Sequence, residues 1–142
     1  MISHVLRTLS AAALLAAPLA LTATPAQAVT SCTVNGRVVS GATVNGTTGS
    51  DYISCGALAP GDTVNGLGGS DYIVINGPVA GTVDGGAGGD SVTAVAGTTA
   101  SGRVLGGDGG DSLFVGPNAG TVDGGPGADF CRVASGNPPV NC

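Results

Sequence analysis

"TVDGGAGGDSVTA", residues 82–94, sets four glycines around Asp90, and the arrangement returns as "RVLGGDGGDSLFV" (103–115) and "TVDGGPGADFCRV" (121–133). Glycine loses more backbone entropy on folding than any other residue, so something at these turns must offset its ordering. Aspartate comes back each time. Aligning outward from this run gives five copies: "TVNGTTGSDYI" (43–53), "TVNGLGGSDYI" (63–73), "TVDGGAGGDSV" (82–92), "RVLGGDGGDSL" (103–113) and "TVDGGPGADFC" (121–131). Their aspartates are Asp51, Asp71, Asp90, Asp111 and Asp129, spaced by 20, 19, 21 and 18 residues. Val44, Val64, Val83, Val104 and Val122 precede the turns; Ile53, Ile73, Val92, Leu113 and Cys131 follow the aspartates by two. Gly-rich disorder would not hold valine and isoleucine in phase through five copies.

Between motifs the apolar residues alternate. In "SDYIVINGPVAGTVDG" (70–85) the inward candidates are Ile73, Ile75, Val79 and Val83. The return turns, among them "ALAPGD", "NGPVAG" and "VGPNAG", are rich in Gly and Pro but lack the GGxGxD order. Each repeat therefore reads as strand, Gly-rich turn, strand, plain turn, with no helical period in residues 29–142. One such unit cannot bury its apolar edge, but stacked copies about 4.8 Å apart can. The expected fold is all-β: a β-solenoid of about five coils spanning 43–133, with "TVNG" (33–36) as a partial repeat inside an N-terminal cap (29–42) and residues 134–142 as a C-terminal cap.

Composition bounds the rest. The apolar run "TLSAAALLAAPLALTA" (8–23) follows Arg7 and leads to the small-x-small site Ala26-Gln27-Ala28. It reads as a signal peptide over 1–28 cleaved after Ala28, with a secreted or surface-retained product and no membrane span in the mature chain. The only His, Met and Gln lie in that segment, and Lys, Glu and Trp are absent. The remainder carries nine aspartates against Arg37, Arg103 and Arg132. This balance disfavours nucleic acid, whose binding rests on clustered cations. Cys32, Cys55, Cys131 and Cys142 suit two disulfides in an exported chain. Three pairings are open; the grouping of one pair at each end favours Cys32–Cys55 and Cys131–Cys142.

Stacking brings a difficulty. Aspartates in one column place like charges about 5 Å apart, a repulsion of about 3 kcal/mol per neighbouring pair at an effective dielectric near 20. A hard divalent cation between turns reverses the sign, since calcium accepts carboxylates and backbone carbonyls together. Here the sequence resembles a known family. "GGAGGDSVT" (85–93), "GGDGGDSLF" (106–114) and "GGPGADFCR" (124–132) are similar to the GGxGxDxUx nonapeptide of the RTX, or haemolysin-type calcium-binding, repeat. "GLGGSDYIV" (66–74) and "GTTGSDYIS" (46–54) keep part of it, with Leu67 and Thr47 in place of glycine. The resemblance implies a right-handed parallel β-roll with Ca²⁺ between turns. Asp51, Asp71, Asp90, Asp111 and Asp129 would be its carboxylate ligands, and Gly85, Gly88, Gly106, Gly109, Gly124 and Gly127 its turn glycines. Two departures stand out. The motif recurs about every 19 residues rather than every nine, so ions would line one side only, in at most four gaps. The leader is N-terminal, whereas the family's secretion signal is usually C-terminal.

Catalysis is not expected: without His, Lys or Glu, a Ser or Cys nucleophile has no usual base. The leading expectation is a non-enzymatic, calcium-binding structural or interaction module that folds where calcium is plentiful. The alternative is a surface-recognition solenoid, binding ice or a cell-surface or extracellular polymer through the outward column Thr43, Thr63, Thr82 and Thr121, which Arg103 interrupts. Asp62 and Asp108 read as solvated turn residues. Asn45, Asn65, Asp84 and Asp123 form a strand-end column expected either to cap turns or to touch an ion's outer shell.

Overall fold

Alternation of small apolar and polar residues produces short strands, and the Gly-rich turns reverse the chain between them. The computed structural model describes residues 30–142, so the expected signal segment lies outside the described residues. The strands are β1 (Ser31–Val34), β2 (Arg37–Ser40), β3 (Thr43–Asn45), β4 (Tyr52–Cys55), β5 (Thr63–Asn65), β6 (Tyr72–Ile75), β7 (Thr82–Ala87), β8 (Ser91–Ala94), β9 (Arg103–Asp108), β10 (Ser112–Asn118), β11 (Thr121–Asp123) and β12 (Phe130–Gly136). No helix occurs among the described residues, and so none there could cross a membrane.

From β2 onward, successive strands go to opposite sheets. One sheet runs β3-β5-β7-β9-β11, the other β2-β1-β4-β6-β8-β10-β12. Every pairing from β3 onward between successive coils is parallel. The result is a β-solenoid of about five turns. Register follows the sequence repeat: Val44, Val64, Val83, Val104 and Val122 stack in one column, and Ile53, Ile73, Val92, Leu113 and Cys131 in the other. These columns face each other as a thin core, closed at the corner by Leu58 and Val79. Ile73, Ile75, Val79 and Val83, the inward residues anticipated for the second coil, are fully buried. Further along, the corner column turns polar. Thr98 and Asn118 follow Leu58 and Val79 in register, and there Thr98 Oγ1 donates to Asn118 Oδ1 while both accept from the Gly120 N–H.

The N-terminal cap differs from its expectation. "TVNG" at 33–36 does not make a partial coil. Asn35 and Gly36 have φ of 51° and 80°, and β1 and β2 pair antiparallel around them. Two successive positive φ values define the hairpin turn that Asn-Gly favours. β1 then lies antiparallel on β4 and closes the end of the larger sheet. Cys32 and Cys55 sit opposite one another in that pairing and form one disulfide; Cys131–Cys142 is the other.

Candidate metal centre

The Gly-rich turns stack along one side, and each presents its aspartate inward. Asp51, Asp71, Asp90 and Asp111 are 5%, 3%, 2% and 1% exposed, while Asp129, in the last of the five turns, is half-buried. The carboxylates form a ladder. Asp51 N–H donates to Asp71 Oδ1 at 2.7 Å, Asp71 N–H to Asp90 Oδ1 at 2.8 Å, Asp90 N–H to Asp111 Oδ1 at 2.7 Å, and Asp111 N–H to Asp129 Oδ1 at 2.8 Å. One oxygen of each later aspartate thus ties its turn to the preceding one. The other oxygen has no such role. Oδ2 of Asp71, Asp90, Asp111 and Asp129 is buried without a hydrogen-bond partner. An unsatisfied buried acceptor costs about 1–3 kcal/mol, and more when charged.

The surroundings of these oxygens add further acceptors. A Cβ placed on Gly85 would lie 2.6 Å from Asp90 Oδ2 and would overlap the carbonyl oxygen of Gly106 on the next turn. Gly106 repeats this with Asp111 Oδ2 and the Gly124 carbonyl, and Gly66 with Asp71 Oδ2 and the Gly85 carbonyl. The first glycine of each motif therefore leaves room for a carboxylate oxygen and a carbonyl oxygen against one Cα. Gly88, Gly109 and Gly127 answer a different demand. Their φ values are 135°, 139° and 156°, and a Cβ on any of them would overlap the carbonyl oxygen of the turn below. These glycines allow the turns to stack at sheet spacing.

Burial pushes the carboxyls of Asp71, Asp90 and Asp111 upward, Asp90 to about 6, with the neighbouring aspartates adding to the rise. Asp51 goes the other way. The Thr47 N–H donates to its Oδ2 at 2.6 Å and holds its pKa below the ordinary range, with Asn35 Nδ2 and Thr47 Oγ1 assisting. Thr47, which stands where later copies have glycine, and the hairpin residue Asn35 thus satisfy both oxygens of the first aspartate. The first position is closed with donors; the later four are not.

The remaining aspartates divide. Asp62, expected as a solvated turn residue, is 7% exposed and accepts from Thr30 Oγ1 and the Ala59 N–H, because the chain entering β1 covers it. Asp108 is exposed as expected. Asp84 and Asp123 cap their own turns, each accepting the N–H two residues on, and Asn65 Nδ2 bonds Asn45 Oδ1.

The donor set can be weighed against a cation. Among the described residues no three His, Cys, Asp or Glu side chains converge on one point. Each position instead offers a single carboxylate oxygen beside backbone carbonyl oxygen. This is an all-oxygen, hard set of the kind calcium accepts, with low charge per position. Asp71, Asp90, Asp111 and Asp129 each keep one oxygen free of hydrogen bonds, whereas both oxygens of Asp51, which lies likewise beside the Gly66 carbonyl, accept from donors. Comparison with protein-family models, curated proteins and solved structures found no match for the chain.

Proposed function

We propose that this protein is a secreted, non-enzymatic calcium-binding β-solenoid, an extracellular structural or interaction module of RTX-like type whose stack is completed by the ion. The observation that carries the reading is the run of four buried Oδ2 atoms without partners, three of them against a carbonyl of the next turn. Oxygen facing oxygen is repulsive until a positive charge stands between them. Asp71, Asp90, Asp111 and Asp129 would hold the ions, and the ions supply the charge that the column lacks. With one carboxylate per position, affinity falls in the weak extracellular class, about 10⁻⁴–10⁻³ M. Two disulfides support an oxidising destination for the chain.

Equilibrium dialysis of residues 29–142 against calcium, with magnesium as control, tests this. Saturable calcium uptake that is lost on joint Asp71→Asn, Asp90→Asn and Asp111→Asn substitution is the expected result. Equal uptake by that triple variant would exclude the column as the site.

A second reading has its own observation. The outer face of the larger sheet exposes Tyr52 stacked on Tyr72 (ring centroids 5.6 Å apart) and Phe114 tilted against Phe130 (5.8 Å). Flat exposed rings on a rigid sheet suit a polymer ligand better than the threonine column does, since Arg103 breaks that column on the other sheet. Co-sedimentation with insoluble polysaccharide, compared with Tyr72→Ala, would detect it.

A further inference from the structure

The five turns contain four gaps, yet the fourth unpartnered carboxylate, Asp129, lies beyond the last of them. Residues 134–142 carry no further copy of the motif. The C-terminal tail occupies the place of one. Val140 bridges Asp123 in parallel register, its N–H donates to the Val122 carbonyl at 3.0 Å, and its own carbonyl accepts from the Gly124 N–H at 3.0 Å. Asn141 Nδ2 donates to Asp123 Oδ1 at 2.8 Å. The backbone at Asn141, with φ of 49°, sets its carbonyl oxygen where a Cβ on Gly124 would stand, beside Asp129 Oδ2. This is the place that the Gly124 carbonyl takes beside Asp111, and the Gly106 carbonyl beside Asp90. Cys142, the next residue, is bonded to Cys131, two residues after Asp129.

Resting on the calcium reading above, we infer that the tail Val140–Cys142 is a surrogate turn whose Asn141 carbonyl completes a terminal cation position with Asp129, and that the Cys131–Cys142 disulfide is what holds this position together. The two ends of the column contrast in chemistry. At the first turn Asp51, although it too lies beside a carbonyl, that of Gly66, accepts from donors, the Asn35 amide and the Thr47 N–H. At the last, Asp129 Oδ2 meets an acceptor. Apart from the disulfide, Val140–Cys142 is held to the last coil by the three hydrogen bonds of Val140 and Asn141, so releasing Cys142 would loosen Asn141. The terminal position is then lost on reduction while the inner ones, built wholly within the coils, persist.

Native mass spectrometry at saturating calcium reads this directly on oxidised residues 29–142. The wild type is expected to hold one calcium more than Cys142→Ser, than a chain ending at Pro138, and than the reduced protein. Asn141→Ala should keep the full count, because the oxygen belongs to the backbone. Hydrogen exchange supplies a readout independent of the metal: in Cys142→Ser the Gly124 and Val140 amides should exchange at least about tenfold faster, with β4 and β6 unchanged. That pattern shows that the variant is folded and only its tail released. Equal, non-zero calcium counts in the wild type, Cys142→Ser and the truncated chain would overturn the inference while leaving the column as a calcium site. Calcium bound by none of the forms would overturn the calcium reading and this inference with it.

Discussion

Asp90 is 2% exposed, with Oδ1 bonded to the Asp71 N–H and Oδ2 bonded to nothing. Its carboxyl, raised by burial from an ordinary 3.8 to about 6, therefore links folding to pH. The folded state holds its proton more tightly than the unfolded chain does. That stabilisation is complete below about pH 4 and is lost as pH rises through about 6. Asp71 and Asp111 shift in the same direction. In chelator, the thermal midpoint should fall between pH 4 and pH 7, and a midpoint that rose over this interval would contradict the burial argument. Asp90→Asn should remove part of that fall. At pH 7.5 in chelator, where the wild type is expected to keep only weak β-structure, it should raise the far-UV β-signal, since an amide N–H₂ can donate to the Gly106 carbonyl where the carboxylate cannot. In calcium the order should reverse, with wild type gaining stability and the variant gaining less. Asp51→Asn tests the same logic from the other side. Asp51 already accepts from Thr47 and Asn35, so its loss should lower stability in chelator and leave the calcium response intact.

At the scale of the strand and turn, the repeat is held by close backbone approach on one side and a single apolar layer on the other. Gly109→Ala puts a Cβ onto the Gly88 carbonyl at a φ of 139°, and should destabilise by more than about 1 kcal/mol in urea unfolding; a neutral result would mean that the turns are not stacked this tightly. Ile73→Ala empties a fully buried site between Ile53 and Val92 and should lower stability by about 2–5 kcal/mol. These elements were legible because each repeat writes the same rule: valine before the turn, aspartate within it, an apolar residue two later. The in-phase column made the stack readable without any long-range contact. The hairpin at 33–36 was not, although Asn35-Gly36 is itself a hairpin signal, because "TVNG" also opens the first two full copies and so reads as another repeat. Asp62 was misjudged for a related reason. Its burial depends on Thr30, which precedes every repeat and reaches it only across the folded end. The sharpest omission at the site was Asn141. It supplies a backbone oxygen, and a backbone oxygen leaves no mark in residue type.

Across the whole molecule, stability is shared between neighbours, as in any solenoid, and the ends need protection. Disulfides close both: Cys32–Cys55 pins the hairpin to the first coil, and Cys131–Cys142 pins the tail to the last. The side chains alone make a thin core, with valine and isoleucine the main residues facing inward. Between the ends runs a column of carboxylates whose two oxygens both find donors only at Asp51. A fold so arranged should respond to calcium as a unit. The most direct test is far-UV circular dichroism of oxidised residues 29–142, begun in chelator at pH 7.5 and titrated with calcium, with magnesium in parallel. The account predicts weak β-structure in chelator and a cooperative gain of β-signal with calcium alone, centred at about 10⁻⁴–10⁻³ M. A β-spectrum already complete in chelator and unchanged by calcium would contradict it, and would assign the fold to strand ladders and disulfides alone.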